Sequence, residues 1–360
     1  MLAMTMASCA SRPPPTTLSD CVGTSASAWP QADALFQNDP VWLGADGAYS
    51  ADLGGGRVLW TFGDTFLADG SRDRGTAHFI HNSIAIQHGY DPSSATIDFH
   101  WGGTEQVPDA FMSEQGSTWF WPGAIVRLDT TALLFYSGVR STSAPDGFQA
   151  AGWSALIVEN PADDPGSWRT ALPRFPPVTF PVTLGTAAVV SGDYLYAYGI
   201  AVPGDGSVYV ARIGLSDANN GDLSRLTWWT GGGTWTAPQD LNASPADVFP
   251  MDGNNPTEMS ITLMSSQTLY EVQSVGYGAT DLAARTSVTI EGPFSLACRL
   301  YHPPQSDAPN AFVYAGKAHP ELTGADLVAT YVPTSFVFDD VRTNGALYVP
   351  HFVRIEGVSR

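Results

Sequence analysis

Charge is scarce in this chain. Asp, Glu, Lys and Arg make up 14% of its 360 residues, against roughly 25% in ordinary domains. Long amphipathic helices need a charged face, so the deficit argues for an all-β protein. No stretch repeats its apolar residues at a 3.6-residue period. Positive charge is scarcest of all: 16 Lys and Arg stand against 35 Asp and Glu, a formal net charge of −19. Such a chain repels phosphate backbones and anionic headgroups, so nucleic acid is excluded as the expected partner. The acidic residues are dispersed rather than in runs, which suits solubility. There are only three cysteines, no Cys-x-x-Cys pair and no histidine-rich cluster. Zinc and dithiol sites are therefore not expected, and no metal or cofactor is implied. Also missing are a Gly-x-Ser-x-Gly elbow, a Walker loop and a dinucleotide fingerprint. That removes the ordinary α/β-hydrolase triad and the common nucleotide sites.

What is present is turns, aromatics and a repeat. The 36 glycines and 27 prolines are spread along the chain, as many short strands require. Five apolar strands recur, Arg57–Phe62, Ala132–Ser137, Asp193–Tyr198, Gln267–Val272 and Asp326–Tyr331. Each has an alternating partner downstream: Asn82–Gln87, Trp153–Val158, Val208–Ile213, Arg285–Ile290 and Val349–Arg354. Their central leucines, Leu59, Leu133, Leu195, Leu269 and Leu327, lie 58 to 74 residues apart. A period of that size filled with strands predicts an all-β, five-bladed propeller. The first blade is expected to start near Gly47 and turn at Gly54-Gly55-Gly56. Closure of the ring is expected from the segment Pro40–Gly44 or from the strand near Phe352. Residues 25–360 form the propeller, and residues 1–24 read as a leader and flexible tether. Met6-Ala7-Ser8-Cys9 is similar to a lipoprotein cleavage box, so export is expected, with any membrane anchoring through a lipidated Cys9. The product would be a cell-surface or periplasmic lipoprotein, or a secreted monomer. Cys21 and Cys298 are a possible disulfide pair.

A propeller gathers loops from every blade around one funnel, so the chemistry is sought at strand ends. Phe62-Gly63-Asp64-Thr65-Phe66 ends a strand of bulky residues in a glycine and a carboxylate. Asp46, just before the preceding strand of the same hairpin, would reach the same end of blade one. Asp39, before Pro40, competes for that second place. Two carboxylates, one protonated and one ionised, are what cleavage of a glycosidic bond requires. Mutual repulsion and burial would separate their pKa values. Glu258 could add a third carboxylate. His81, Asn82 and His319 could hydrogen-bond sugar hydroxyls. Trp119 and Trp121 offer faces on which sugar rings stack. The expected partner is a polysaccharide or oligosaccharide.

These elements resemble a known family. Tyr49-Ser50, Leu59 to Phe66 with its Gly-Asp-Thr-Phe, and His81-Asn82-Ser83 look like bacterial endo-D-arabinanases of glycoside hydrolase family 183. So does Tyr314 to Leu322 with its Ala-His-Pro-Glu-Leu, followed by Leu327 to Tyr331. The likeness covers roughly residues 38 to 355. It implies a five-bladed propeller that cleaves furanosidic linkages of an arabinan-like polysaccharide with two aspartates as general acid and base or nucleophile. The matching positions are Asp46 and Asp64. The alternative is a carbohydrate-binding propeller without catalysis, which would use the same aromatics.

Overall fold

A computed structural model of the chain describes residues 17–143, 147–178, 180–202, 206–275 and 278–358. Cys9, in the segment expected to be a leader, lies outside the described residues. Five sheets, antiparallel except where Ser19–Asp20 joins blade four in parallel, stand around one axis as the blades of a propeller. Their innermost strands are Trp42–Gly54, Thr118–Arg127, Val182–Ser191, Met259–Leu263 and Ala311–His319. The second strand of each blade carries the predicted leucine. Leu59, Leu133, Leu195, Leu269 and Leu327 are all buried. They are buried because the core lies between blades, where the face of each sheet packs on the next. One apolar cluster joins Leu59, Leu134 and Tyr136 across blades one and two. Another joins Phe135, Leu184 and Leu195 across blades two and three. Alternating strands suit this arrangement, since both faces of every blade are covered.

Blade one begins earlier than expected. Its inner strand starts at Trp42 and includes the whole Leu43–Gly47 run. In blade four the third strand is Leu282–Ser287, upstream of the expected Arg285–Ile290. The later residues leave the sheet, and Val288 is 81% exposed.

The ring closes through a strand that the sequence pattern does not show. Ser25–Ala28 pairs antiparallel with Val353–Glu356 and becomes the outer strand of blade five. Neither Pro40–Gly44 nor the C-terminal strand closes the ring alone. The helix Pro30–Gln37 follows and lies over the seam between blades five and one, with proline in its first turn where the absent N–H costs nothing. Its Phe36 stacks on Phe352 at 5.1 Å and meets Trp60 edge-on at 5.0 Å. Such pairs contribute about 0.5–1.5 kcal/mol each beyond their buried area. The end of the segment read as a flexible tether is tied down. Ser19–Asp20 pairs with Cys298–Arg299, and Cys21 forms a disulfide with Cys298.

Four of the five inner strands bulge at one level. The pairing slips between Ala45 and Gly47, Pro122 and Ile125, Leu184 and Ala187, and Tyr314 and Lys317. A bulge bends its strand and re-aims its side chains. These bulges form a waist in the axial channel. Residues on one side of it line a funnel of about 390 Å³. Residues on the other side line a rear vestibule of about 420 Å³.

Candidate functional site

Blade one builds the floor of the funnel. Between the pairs Ala45–Thr65 and Gly47–Phe62, a single residue, Asp46, stands opposite two, Gly63 and Asp64. This mismatch brings both aspartates to the funnel wall. Gly63 permits the close approach, because a Cβ there would stand 2.2 Å from Asp46 Oδ1. The glycine of Gly-Asp-Thr-Phe is thus required by its neighbour's carboxyl group.

The two carboxyl groups have different surroundings. Asp46 Oδ2 accepts hydrogen bonds from the hydroxyls of Tyr314 at 2.7 Å and Tyr348 at 3.0 Å. Burial lifts the Asp46 pKa, and the charges of Asp64 and Glu258 lift it further. The two tyrosine bonds pull the other way, and the outcome is about 8. Both tyrosines are pushed well above the usual phenol range, first by burial and then by the charge of Asp46, so they remain donors. Asp64 Oδ1 accepts from Trp121 Nε1 at 2.9 Å and lies 3.1 Å from His81 Nδ1. Burial lowers the His81 pKa, but the Asp64 hydrogen bond and the charges of Asp64, Glu114 and Asp109 outweigh it, leaving a net rise. Glu114 Oε1 stands 3.6 Å from the other ring nitrogen of His81.

Aromatic faces surround these groups. Trp119 stacks on His81, with centroids 4.8 Å apart and planes 16° from parallel. Trp121 meets Phe148 edge-on at 5.0 Å. Phe79 and Phe338 add further apolar lining. Glu258 also lines the funnel, and its carboxylate pairs with the buried ammonium of Lys317.

The predicted site residues therefore divide. The fold brings Asp46, Asp64, His81, Trp119, Trp121 and Glu258 to one funnel. Asp39 is elsewhere, accepting from the backbone N–H groups of Val41 and Trp42 as a turn residue. Asn82 is buried and fully engaged: its amide donates to the carbonyls of Met112 and Phe120, and its oxygen accepts from Met112 N–H. It joins blade one to the loop before blade two and does not line the funnel. His319 lies beyond the waist, lining the rear vestibule. It hydrogen-bonds Ser50 Oγ and Thr330 Oγ1, and its ring packs on Trp60 at 4.7 Å. Burial, helped by the Lys317 charge, lowers its pKa to about 3, so it is a neutral packing histidine.

Tyr314, Tyr348 and Lys317 are not among the predicted site residues, although Tyr314 and Lys317 lie within the Tyr314-to-Leu322 element of the family resemblance. A tyrosine or lysine within an alternating strand carries no local mark of a site. Tyr348 has φ +59°, rare for a bulky residue, but sequence does not display a backbone angle.

The chain matches the family described as "Domain of unknown function (DUF5005)" over residues 31–358. It belongs to that family. The DUF5005 match runs from the seam helix through the last strand of blade five, so it includes the entire funnel. No curated protein matches the chain. Among solved structures, this DUF5005 protein is similar to a candidate hydrolase of Bacteroides ovatus. The TM-score is 0.72 and the identity 18%, over 95% of this chain and 92% of the other. It is also similar to a family 117 glycoside hydrolase of the marine bacterium Zobellia galactanivorans. There the TM-score is 0.51 and the identity 10%, over 93% and 91% of the two chains. At these identities the likeness is one of fold.

Proposed function

We propose that this protein is an exported glycoside hydrolase that cleaves furanosidic linkages of an arabinan-like polysaccharide. The observation that carries the reading is the pair Asp46 and Asp64, set across one bulge on the floor of an aromatic-walled funnel. Glycosidic cleavage needs a proton for the leaving oxygen and a carboxylate for the other face of the sugar. Asp46, with its pKa near 8, holds a proton at neutral pH. Its Oδ2 already accepts two tyrosine hydrogen bonds, so the proton resides on Oδ1. Asp64 faces an indole N–H and an imidazole, surroundings that suit a carboxylate. In this reading Asp46 protonates the leaving oxygen, and Asp64 activates water or attacks the anomeric carbon. Trp119 and Trp121 hold the sugar rings by stacking.

The likeness to a family 117 glycoside hydrolase supports the reaction class. The Gly-Asp-Thr-Phe and Ala-His-Pro-Glu-Leu resemblance supports the furanosidic substrate. The Cys21–Cys298 disulfide supports export, since such bonds persist in oxidising compartments.

The test is chromatography of products after incubation with mycobacterial arabinogalactan, plant L-arabinan and a panel of other glycans. Oligosaccharides from arabinogalactan, lost in Asp64→Asn and Asp46→Asn with folding intact, are the expected result. Near-wild-type turnover by Asp64→Asn would refute the assignment. Saturable binding with no product from any glycan would favour the binding propeller instead.

A further inference from the structure

Lys317 stands at the waist of the channel. It lines the rear vestibule, while the carboxylate it binds, Glu258, lines the funnel. A buried ammonium is costly unless it is paired and its donors are satisfied. Here Lys317 is 1% exposed. Beside the Glu258 pair, its Nζ donates to the Ala315 carbonyl at 3.0 Å and lies 4.3 Å from the Tyr49 ring centroid. Ala315 has φ +57°, and the bulge between Tyr314 and Lys317 turns that carbonyl and the ammonium toward each other. The cage is therefore part of the strand's geometry rather than a chance surface contact.

The titratable groups around this ammonium are carboxyl groups, uncharged tyrosines and one histidine. Asp46 and Tyr49 come from blade one, and Asp64 lies across the bulge from Asp46. Glu258 precedes blade four. Tyr314 and His319 share the lysine's own strand, and Tyr348 reaches in from blade five. His319 is neutral. Three carboxyl groups thus converge on one funnel floor. Lys317 is paired with one of them, Glu258, and His81 with Asp64, while Arg74, the nearby buried arginine, is spent on the carbonyls of Leu43, Val341 and Leu347.

We propose that Lys317 is a positioning residue: its ammonium holds the Glu258 carboxylate at the waist beside Asp46, so that Asp46 faces an ion pair rather than a lone carboxylate. The proposal rests on the hydrolase reading for its consequence in turnover and, for its effect on Asp46, on the Lys317–Glu258 pair and the charges it places near that acid. Removing the cation raises the Asp46 midpoint, because one favourable charge is lost. Removing the Glu258 charge lowers it, because one repulsion is lost. The two changes have opposite signs, which a merely structural role would not produce.

The experiment is a carbon-13 titration of the aspartate side-chain carboxyl groups in the full chain, with Asp46 assigned through Asp46→Asn. Lys317→Met is expected to move the Asp46 midpoint up by about one pH unit or more. Lys317→Arg is expected to restore it, and Glu258→Gln to move it down. An unchanged midpoint in Lys317→Met overturns the proposal. Should Lys317→Met not fold, Glu258→Gln decides: a midpoint that stays or rises overturns the proposal. On a cleaved glycan, the alkaline limb of the kcat/KM profile follows the same order. If the wild type cleaves no glycan the hydrolase reading fails, while the titration still decides the role of Lys317.

Discussion

Gly63→Ala tests the site where geometry and chemistry meet most closely. Gly63 does not occupy the left-handed region, so alanine is acceptable to its backbone. The new Cβ would stand 2.2 Å from Asp46 Oδ1. An ordinary carbon–oxygen contact is about 3.2 Å or more, so the carboxyl group must retreat by about 1 Å. It cannot do so freely, because Tyr314 and Tyr348 both hold Oδ2. Asp46 Cγ, at 3.3 Å, must give way with its own carboxyl group, but Pro122 Cδ, at 3.7 Å, is an ordinary contact, so the strain falls on one side chain and the fold should survive. A displacement of about 1 Å in a reacting group can lower turnover by about 10²-fold, roughly 2.7 kcal/mol of barrier. The assay is release of new reducing ends from the cleaved glycan, beside a thermal melt. The expected result is a loss in kcat of about that size with little change in melting temperature. Turnover within about threefold of wild type, under 1 kcal/mol, would refute the claim that Asp46 must sit over Gly63. Activity lost only together with the fold would also refute it.

Three further outcomes follow from the same structure. Tyr348→Phe removes a hydrogen bond that favours the ionised form of Asp46, so the Asp46 midpoint should rise from about 8. At 1.5–3 kcal/mol for a hydrogen bond to a charged group, the alkaline limb of the pH–rate profile moves up by about one to two units. An unmoved limb would separate Tyr348 from the acid. Glu271 is wholly buried, neither carboxyl oxygen has a hydrogen-bond partner among the described residues, and burial lifts its pKa to about 8. An acid whose folded pKa is raised binds more protons in the folded state. The protein therefore loses stability as pH climbs from about 4.5 to about 8. Glu271→Gln should flatten that decline, giving a gain at pH 9 that is larger than at pH 5 by up to about 4 kcal/mol; denaturant melts at the two pH values check it. Removing the Cys21–Cys298 disulfide, with its separation of 277 residues, frees the chain end that precedes the closing strand Ser25–Ala28. Cys21→Ser with Cys298→Ser should cost about 2–5 kcal/mol of stability, measured by chemical denaturation under oxidising conditions. A melt equal to the wild type would show that the strand closes the ring unaided.

The repeat was legible because each blade needs a buried second strand, and Leu59, Leu133, Leu195, Leu269 and Leu327 mark it directly. Asp64 was legible as a candidate because a carboxylate after Gly63 ends an apolar strand where the loops meet, although an aspartate there also serves as a turn cap, and only the fold shows it lining the funnel. Asp46 was legible as its neighbour in the hairpin, with Asp39 in competition until the fold left Asp39 in a turn. His319 and Asn82 were not separable from site residues in this way. Both are polar residues near strand ends, and only their partners, Ser50 and Thr330 for one and Met112 and Phe120 for the other, show how each is occupied. The closing strand escaped notice because Ser25-Ala26-Ser27-Ala28 has no bulky residues, and its pairing strand lies over 300 residues away in sequence.

By itself the sequence determined the all-β architecture and the five blades, and it offered Asp64 with Asp46 or Asp39 beside it, since these depend on local alternation, spacing and the turn at each glycine. Tertiary structure alone decided the rest. The bulges placed Asp46 across from Gly63 and Asp64, and ring closure carried Tyr314, Tyr348 and Lys317 from blade five to the carboxylates of blade one and the loop before blade four. Those contacts span 59 to 302 residues of chain. They exist only because five sheets close into a circle, and a closed circle makes neighbours of residues that no local pattern links.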